Sequence, residues 1–187
     1  GRLEDAETIY EAVLKARPNH FDARQLLGNL RFRQERFAEA EILLRRAVTI
    51  NGSVAPVHLS LGKTLAALNR HADALKSFDR AIALEPAMWE AHHMRGVSLL
   101  DLDRLDESVV SFRATLDIKP DCVDALVNMA FAFSRLSRFV ESERYLEEAL
   151  TLAPDYAHAR HNHGILTLLT GDFQSGWEGY EYRLSVD

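Results

Sequence analysis

The chain has 187 residues, 47% of them hydrophobic, with 22 basic against 28 acidic side chains and a net charge of −6. That apolar content excludes a disordered tail, and the acidic balance would repel a phosphate backbone, so nucleic acid is not expected as a partner. A single cysteine, Cys122, excludes an internal disulfide, and no Cys/His group has zinc-site spacing, so neither a metal nor a cofactor is expected.

The opening stretch "GRLEDAETIY" lacks the basic-then-apolar layout of a secretory signal, and no apolar run reaches the roughly eighteen residues a membrane span needs. A cytoplasmic location without membrane contact is the expectation. Residues 1–20 carry Ala6 and Tyr10 at helical spacing and end in "ARPNH", where proline cannot continue a helix. From Phe21 onward the apolar residues recur at three and four, as in Leu27, Leu30, Ala40, Leu43, Leu44, Ala47 and Ile50, which is helical rather than strand periodicity.

The same markers then return every 34 residues. Small residues stand at Gly28, Gly62, Gly96, Ala130 and Gly164, and again at Ala6, Ala40, Ala74, Ser108, Ser142 and Gly176. Bulky ones stand at Tyr10, Leu44, Phe78, Phe112, Leu146 and Tyr180. Two small columns let antiparallel helices cross closely, and the bulky column fills the space beside the crossing. Pro18, Pro86, Pro120 and Pro154, with Gly52 in the vacant place, close each unit. Every unit is therefore a pair of helices.

With "LLGNL", "SLGKT" and "MRGVS" in the first helix and "FAEAEILL", "HADALKSF" and "LDESVVSF" in the second, the chain resembles the tetratricopeptide repeat family over nearly its whole length. The resemblance implies an all-α, right-handed superhelical solenoid of antiparallel helix pairs. Residues 1–20 would be the second helix of a truncated repeat; 21–54, 55–88, 89–122 and 123–156 would be four complete repeats; 157–187 would be a fifth, truncated one. The family's aromatic at the fourth position of each unit is replaced by Arg24, His58, His92, Leu126 and Arg160.

Stacked first helices line the concave surface of such arrays. The resemblance places groove-facing side chains at Asp22, Gln25, Asn29, Phe32, Arg33 and Lys63, then at His93, Val97, Leu100, Val127, Phe131, Ser134 and Arg135. In the last unit it places His158, His161, Ile165, Leu168 and Leu169 there. The carboxylate clamp of chaperone-tail binders is absent, since its places read Gln25, Asn29, Ser60, Glu90 and Met94. The sixth-position column, an asparagine ladder in O-linked N-acetylglucosamine transferases, reads Leu26, Ser60, Met94, Asn128 and Asn162, so only two rungs match. A polar-to-apolar groove suits an extended peptide or a helix with apolar anchors.

The histidines of "HHM" and "HARHNH" are read as groove residues rather than a metal site, because Val127 occupies the column between His93 and His161. The acidic stretch Asp101, Asp103, Asp106 and Glu107 falls at a turn between helices, where charge faces water. No nucleophile elbow, phosphate loop or nucleotide fingerprint is present, so these residues are not expected to form an enzyme.

The final phrase, "GDFQSGWEGYEYR", continues the pattern through Phe173, Gly176 and Tyr180, but Arg183 breaks the column of Ala47, Ala81 and Ala149. It resembles a phrase that closes repeat arrays in bacterial proteins with a downstream glycosyltransferase-like domain, which implies that the protein continues past Asp187. Both ends are expected to expose apolar surface, at Ile9, Tyr10 and Val13 and at Trp177, Tyr180 and Leu184, and to favour self-association. The sequence thus points to a scaffold that binds a peptide or partner helix. The alternative is a non-catalytic, acceptor-recognising segment of a larger bacterial glycosyltransferase-like protein.

Overall fold

Five turns share one backbone shape, and that shape sets the fold. Glu35, Asn69, Asp103 and Ser137 adopt left-handed backbone angles with φ of 57–59°, and Gly171 does so at 98°. In each case the next residue's amide donates to a carbonyl five residues back: Arg36 N reaches the Arg31 carbonyl at 2.9 Å, and Arg70 N reaches the Leu65 carbonyl at 2.9 Å. This satisfies carbonyls that the ending helix leaves open and reverses the chain.

The computed structural model describes residues 2–182, with side chains from Asp5 onward. Among these residues it contains eleven helices and no strand: α1 Arg2–Ala16, α2 Phe21–Arg33, α3 Phe37–Ile50, α4 Ala55–Ala67, α5 His71–Leu84, α6 Trp89–Asp101, α7 Leu105–Ile118, α8 Val123–Arg135, α9 Phe139–Leu152, α10 Ala157–Thr170 and α11 Phe173–Tyr180. The first helices of the pairs begin at Phe21, Ala55, Trp89, Val123 and Ala157. None of the described helices is long and apolar enough to cross a membrane. The chain divides into two compact units, Gly1–Ser98 and Leu99–Asp187.

Each second helix starts with a clasp. Arg36, Arg70, Arg104 and Arg138 cap α3, α5, α7 and α9, and each guanidinium bonds the acid three residues on: Glu39 at 2.7 Å, Asp73 at 3.0 Å, Glu107 at 2.6 Å and Glu141 at 2.6 Å. The acid also sits at the positive end of its helix. At α11 the device changes, since Asp172 replaces the arginine and its own carboxylate accepts from Ser175 N at 3.2 Å.

In the first unit the core runs through Ala40, Leu44, Val57, Leu61, Leu65, Ala74 and Phe78. A methyl on Gly62 would lie 2.4 Å from the Phe78 ring, so the glycine is what admits that ring, whose burial contributes about 2–3 kcal/mol. In the second unit, Leu126, Val127, Ala149 and Ala159 form one cluster and Ala130, Leu146 and Leu166 another. The last hairpin departs from this plan. A methyl on Gly164 would meet the Gly179 carbonyl carbon and the Tyr180 nitrogen, both at 2.4 Å, so α10 and α11 cross with backbone against backbone. The glycines of "GDFQSGWEGY" therefore have separate tasks: Gly171 ends α10, Gly176 receives Leu168, and Gly179 allows the crossing.

The first junction is polar. Arg31, only 4% exposed, holds Glu7 at 2.6 Å and Glu11 at 2.7 Å from α1 and approaches Glu39 of α3 at 3.5 Å. Gln34 accepts from Arg31 at 3.0 Å and donates to Glu7 at 2.9 Å. The Gln34 hydrogen bond, and then Arg31, hold the Glu7 carboxyl below its ordinary range. At the ends of the chain, Ile9 and Trp177 are exposed while Tyr10, Val13 and Tyr180 are half-buried. Arg183, Leu184 and Asp187 lie outside the described residues.

The candidate binding face

The fourth-position residues, which lack the family's aromatic ring, act as donors. Arg24 bonds the Pro18 carbonyl, His58 Nε2 the Gly52 carbonyl at 3.0 Å, His92 Nε2 the Pro86 carbonyl at 3.0 Å, and Arg160 Nε the Pro154 carbonyl at 2.6 Å. Each ties the start of a first helix to the turn before it, satisfying a carbonyl that would otherwise depend on water. Leu126 is the exception and is buried in the core.

In the first unit, α2 presents Gln25, Asn29 and Arg33 along one stripe, four residues apart, and α4 presents Lys63 one period on from Asn29. Gln25, Asn29 and Lys63 are partly exposed and Arg33 is exposed. None of these four has an ion-pair or side-chain hydrogen-bond partner among the described residues, which leaves a hydrated amide and cation surface. On α6, His93 and Val97 are partly exposed.

In the second unit the face has relief. A recess of about 60 Å³ opens between α8 and α10, lined by Phe131 and Ser134 of α8 and Asn162 and Ile165 of α10. Its floor is Ala130 with Ser142 and Leu146 of α9. The floor is fixed because the Ser142 hydroxyl donates to the Ala130 carbonyl at 2.8 Å. Phe131 is 43% exposed, and the Arg135 guanidinium lies 5.9 Å from its ring centre, held by Asp103 at 2.9 Å. The Asn162 amide has no partner among the described residues. Asn128, one period earlier, is also partly exposed.

The other expected groove residues differ in depth and in contacts. Leu100 is 9% and Val127 4% exposed, so both are core. Leu168 packs on Gly176 of α11. The His161 ring lies 5.3 Å from Tyr180 and that of His158 5.5 Å from Tyr156, so the two imidazoles turn to different aromatic neighbours. No group of three or more His, Cys, Asp or Glu among the described residues is placed to hold a metal ion. The Ser142 and Leu146 floor was not singled out as a site from the sequence. The available signal was the alanine at position 130, where the other units have glycine.

The α8–α10 junction also carries a strong polar contact. Tyr156 donates its phenol to Asp124, and burial together with that carboxylate pushes the Tyr156 pKa up to about 12.

Family models described as tetratricopeptide repeat match residues 1–55, 59–123 and 123–156. Among solved structures, YrrB, described as a TPR protein with an unusual peptide-binding site, is 25% identical with a TM-score of 0.76 over 86% of this chain and 82% of its own. PilW, a widely conserved type IV pilus biogenesis factor, superposes with a TM-score of 0.87 at 19% identity over 99% of this chain and 86% of its own. A tetratricopeptide repeat protein from Parabacteroides merdae gives 0.84 at 19% identity over 98% and 73%. The latter two show the fold alone. A search of curated protein sequences returns no significant match. With matched segments covering most of its length and helix pairs closing in the same register, the chain belongs to the tetratricopeptide repeat family and shares its all-α helical-solenoid fold.

Proposed function

We propose that this chain acts by binding rather than catalysis, and that a peptide or partner helix docks on the face formed by α8 and α10. Tetratricopeptide repeat proteins serve broadly as protein-interaction scaffolds, and membership of that family supports such a role here. An aliphatic side chain of the partner enters the recess beside Phe131 and Ile165, and the Asn162 amide bonds the partner's backbone. The observation that carries this reading is the recess itself: a half-exposed aromatic wall, a fixed floor and an unpartnered amide at one rim. Such small, partly desolvated anchor pockets concentrate binding energy. The likeness to YrrB, with its peptide-binding site, supports a peptide as the occupant.

Selection from a displayed peptide library against the folded chain tests the reading. Enriched peptides are expected to share one aliphatic position and to bind Phe131→Glu about 10- to 100-fold more weakly, the size of a lost anchor contact. The helical circular-dichroism signal should be unchanged. Equal binding to a folded Phe131→Glu variant would overturn it.

A further inference from the structure

Carboxylates of one hairpin are repeatedly met by arginines of the next. Glu7 and Glu11 of α1 hold Arg31 of α2, Glu41 of α3 holds Arg70 at the start of α5, Asp79 of α5 holds Arg95 of α6, and Asp103, between α6 and α7, holds Arg135 of α8, all at 2.6–2.9 Å. The earlier hairpin brings the acid and the later one the cation. Apolar residues of the second helices are covered as well. Leu75 of α5 is 8% and Val109 of α7 is 7% exposed, and Phe37 and Phe139, which open α3 and α9, are partly buried.

Helix α11 carries the same devices with nothing to meet them among the described residues. Trp177 stands three periods after Leu75 and is 58% exposed, and Phe173, in the column of Phe37 and Phe139, is 64% exposed. Glu181, at the end of α11, stands in the column of Asp79, and its carboxylate has no partner among the described residues. These three residues recur at four-residue spacing and so form one stripe. Trp177 is steadied edge-on against Tyr180, with ring centres 5.6 Å apart. A single exposed ring is ordinary on a surface, but two rings in line with an unmet carboxylate form a docking face. The α5–α6 junction shows what such a face takes. There Ala81 of α5 packs with Met88 and Ala91, and Arg95 of α6 reaches Asp79 at 2.7 Å, so the complement of the acid-ended stripe is a helix with apolar residues and a cation. Two copies meeting α11 to α11 would set Glu178 and Glu181 against like charges, which disfavours self-pairing on this face.

We propose that the stripe of Phe173, Trp177 and Glu181 docks an amphipathic helix of another protein, whose apolar side covers the two rings and whose arginine or lysine meets Glu181. This surface is separate from the recess beside Phe131. A displayed library of helices built on the α6 sequence, randomised at the place of Arg95 and at the apolar positions, is selected against the full chain and counter-selected against Trp177→Glu. Trp177 and Glu181 are exposed, so both variants should keep the helical circular-dichroism signal. Enriched helices are expected to carry arginine or lysine at the place of Arg95. Glu181→Lys should weaken them about tenfold, through a lost ion pair and a new like-charge contact. A glutamate in place of the helix's cation should restore binding to that variant. Phe131→Glu should bind the helices as wild type does, so the two surfaces are read apart. No enrichment, enrichment that survives Trp177→Glu, selected helices without a cation at that place, or a dimer of the chain that Trp177→Glu dissolves would overturn the proposal.

Discussion

Helices α2 and α8 stand three periods apart in equivalent places, yet they solve the same packing problem with different chemistry. Both keep a small residue at the crossing, Gly28 and Ala130, and an apolar one before it, Leu27 and Met129. Around these, α2 carries Arg24, Gln25, Asn29 and Arg31 where α8 carries Leu126, Val127, Phe131 and Phe133. Arg31 and Phe133 are both buried. The hairpin therefore demands only its small and bulky columns. A further buried column accepts a charge if neighbouring helices bring acids, as Glu7, Glu11 and Glu39 do for Arg31. Near Phe133 the corresponding places hold Val109, Arg113 and Leu136 in place of Glu7, Glu11 and Gln34.

Exchanging residues between the two helices breaks this comparison most sharply. Phe133→Arg buries a cation where the remaining acid, Glu141, is already held by Arg138, and it is expected to cost about 4–5 kcal/mol, read from the urea midpoint of the helical signal. A loss under about 1 kcal/mol would show that partner supply is not what permits Arg31. The crossing node comes next. Gly164→Ala drives a methyl into the Gly179 backbone at 2.4 Å and is expected to cost about 2–3 kcal/mol. Gly28→Ala meets side-chain atoms alone, Leu44 at 2.8 Å and Leu43 at 3.5 Å, and should stay within about 1 kcal/mol of wild type, as the alanine at 130 implies.

Smaller still is the gain from easing a turn. Glu35→Gly and Ser137→Gly each relieve a left-handed non-glycine residue and should stabilise by about 0.5–1 kcal/mol, measured in the same titration. Arg31→Leu, which copies Leu65 but leaves Glu7 and Glu11 without their cation, should lower neutral-pH stability and also alter its dependence on acid. The folded-state pKa of Glu7 is depressed, so its contribution is present above the unfolded value near 4 and is lost as pH falls through the folded value. The protection factors of α1 amides, which divide out the intrinsic slowing of exchange in acid, should fall as pH drops below about 4 in wild type, and much less in Arg31→Leu. An equal fall in both would detach the effect from this network.

The period, the helix pairs and the small and bulky columns were legible in the sequence because each rests on residue type at fixed spacing. The turn column was not, since Glu35, Asn69, Asp103, Ser137 and Gly171 share a backbone angle but no side-chain chemistry. The fourth-position residues looked like losses from a pattern, whereas Arg24, His58, His92 and Arg160 share an N–H donor six residues after a turn carbonyl. Within the candidate site, family position fixes which helix carries a residue but not its depth. Leu100 and Val127 sink into the core while Phe131 stands out, because depth depends on the size of neighbours such as Ala130 and Leu146.

The phenol of Tyr156 offers a use beyond its role in joining α10 to Asp124. Burial and the Asp124 carboxylate push its pKa up to about 12, so it is expected to ionise after an ordinary tyrosine, whose value is near 10. Alkaline ultraviolet titration thus contains an internal gauge of that junction. A late component is expected while the helices stay closed, and its fall toward the ordinary tyrosine value reports that they have parted, even when overall helicity has barely changed.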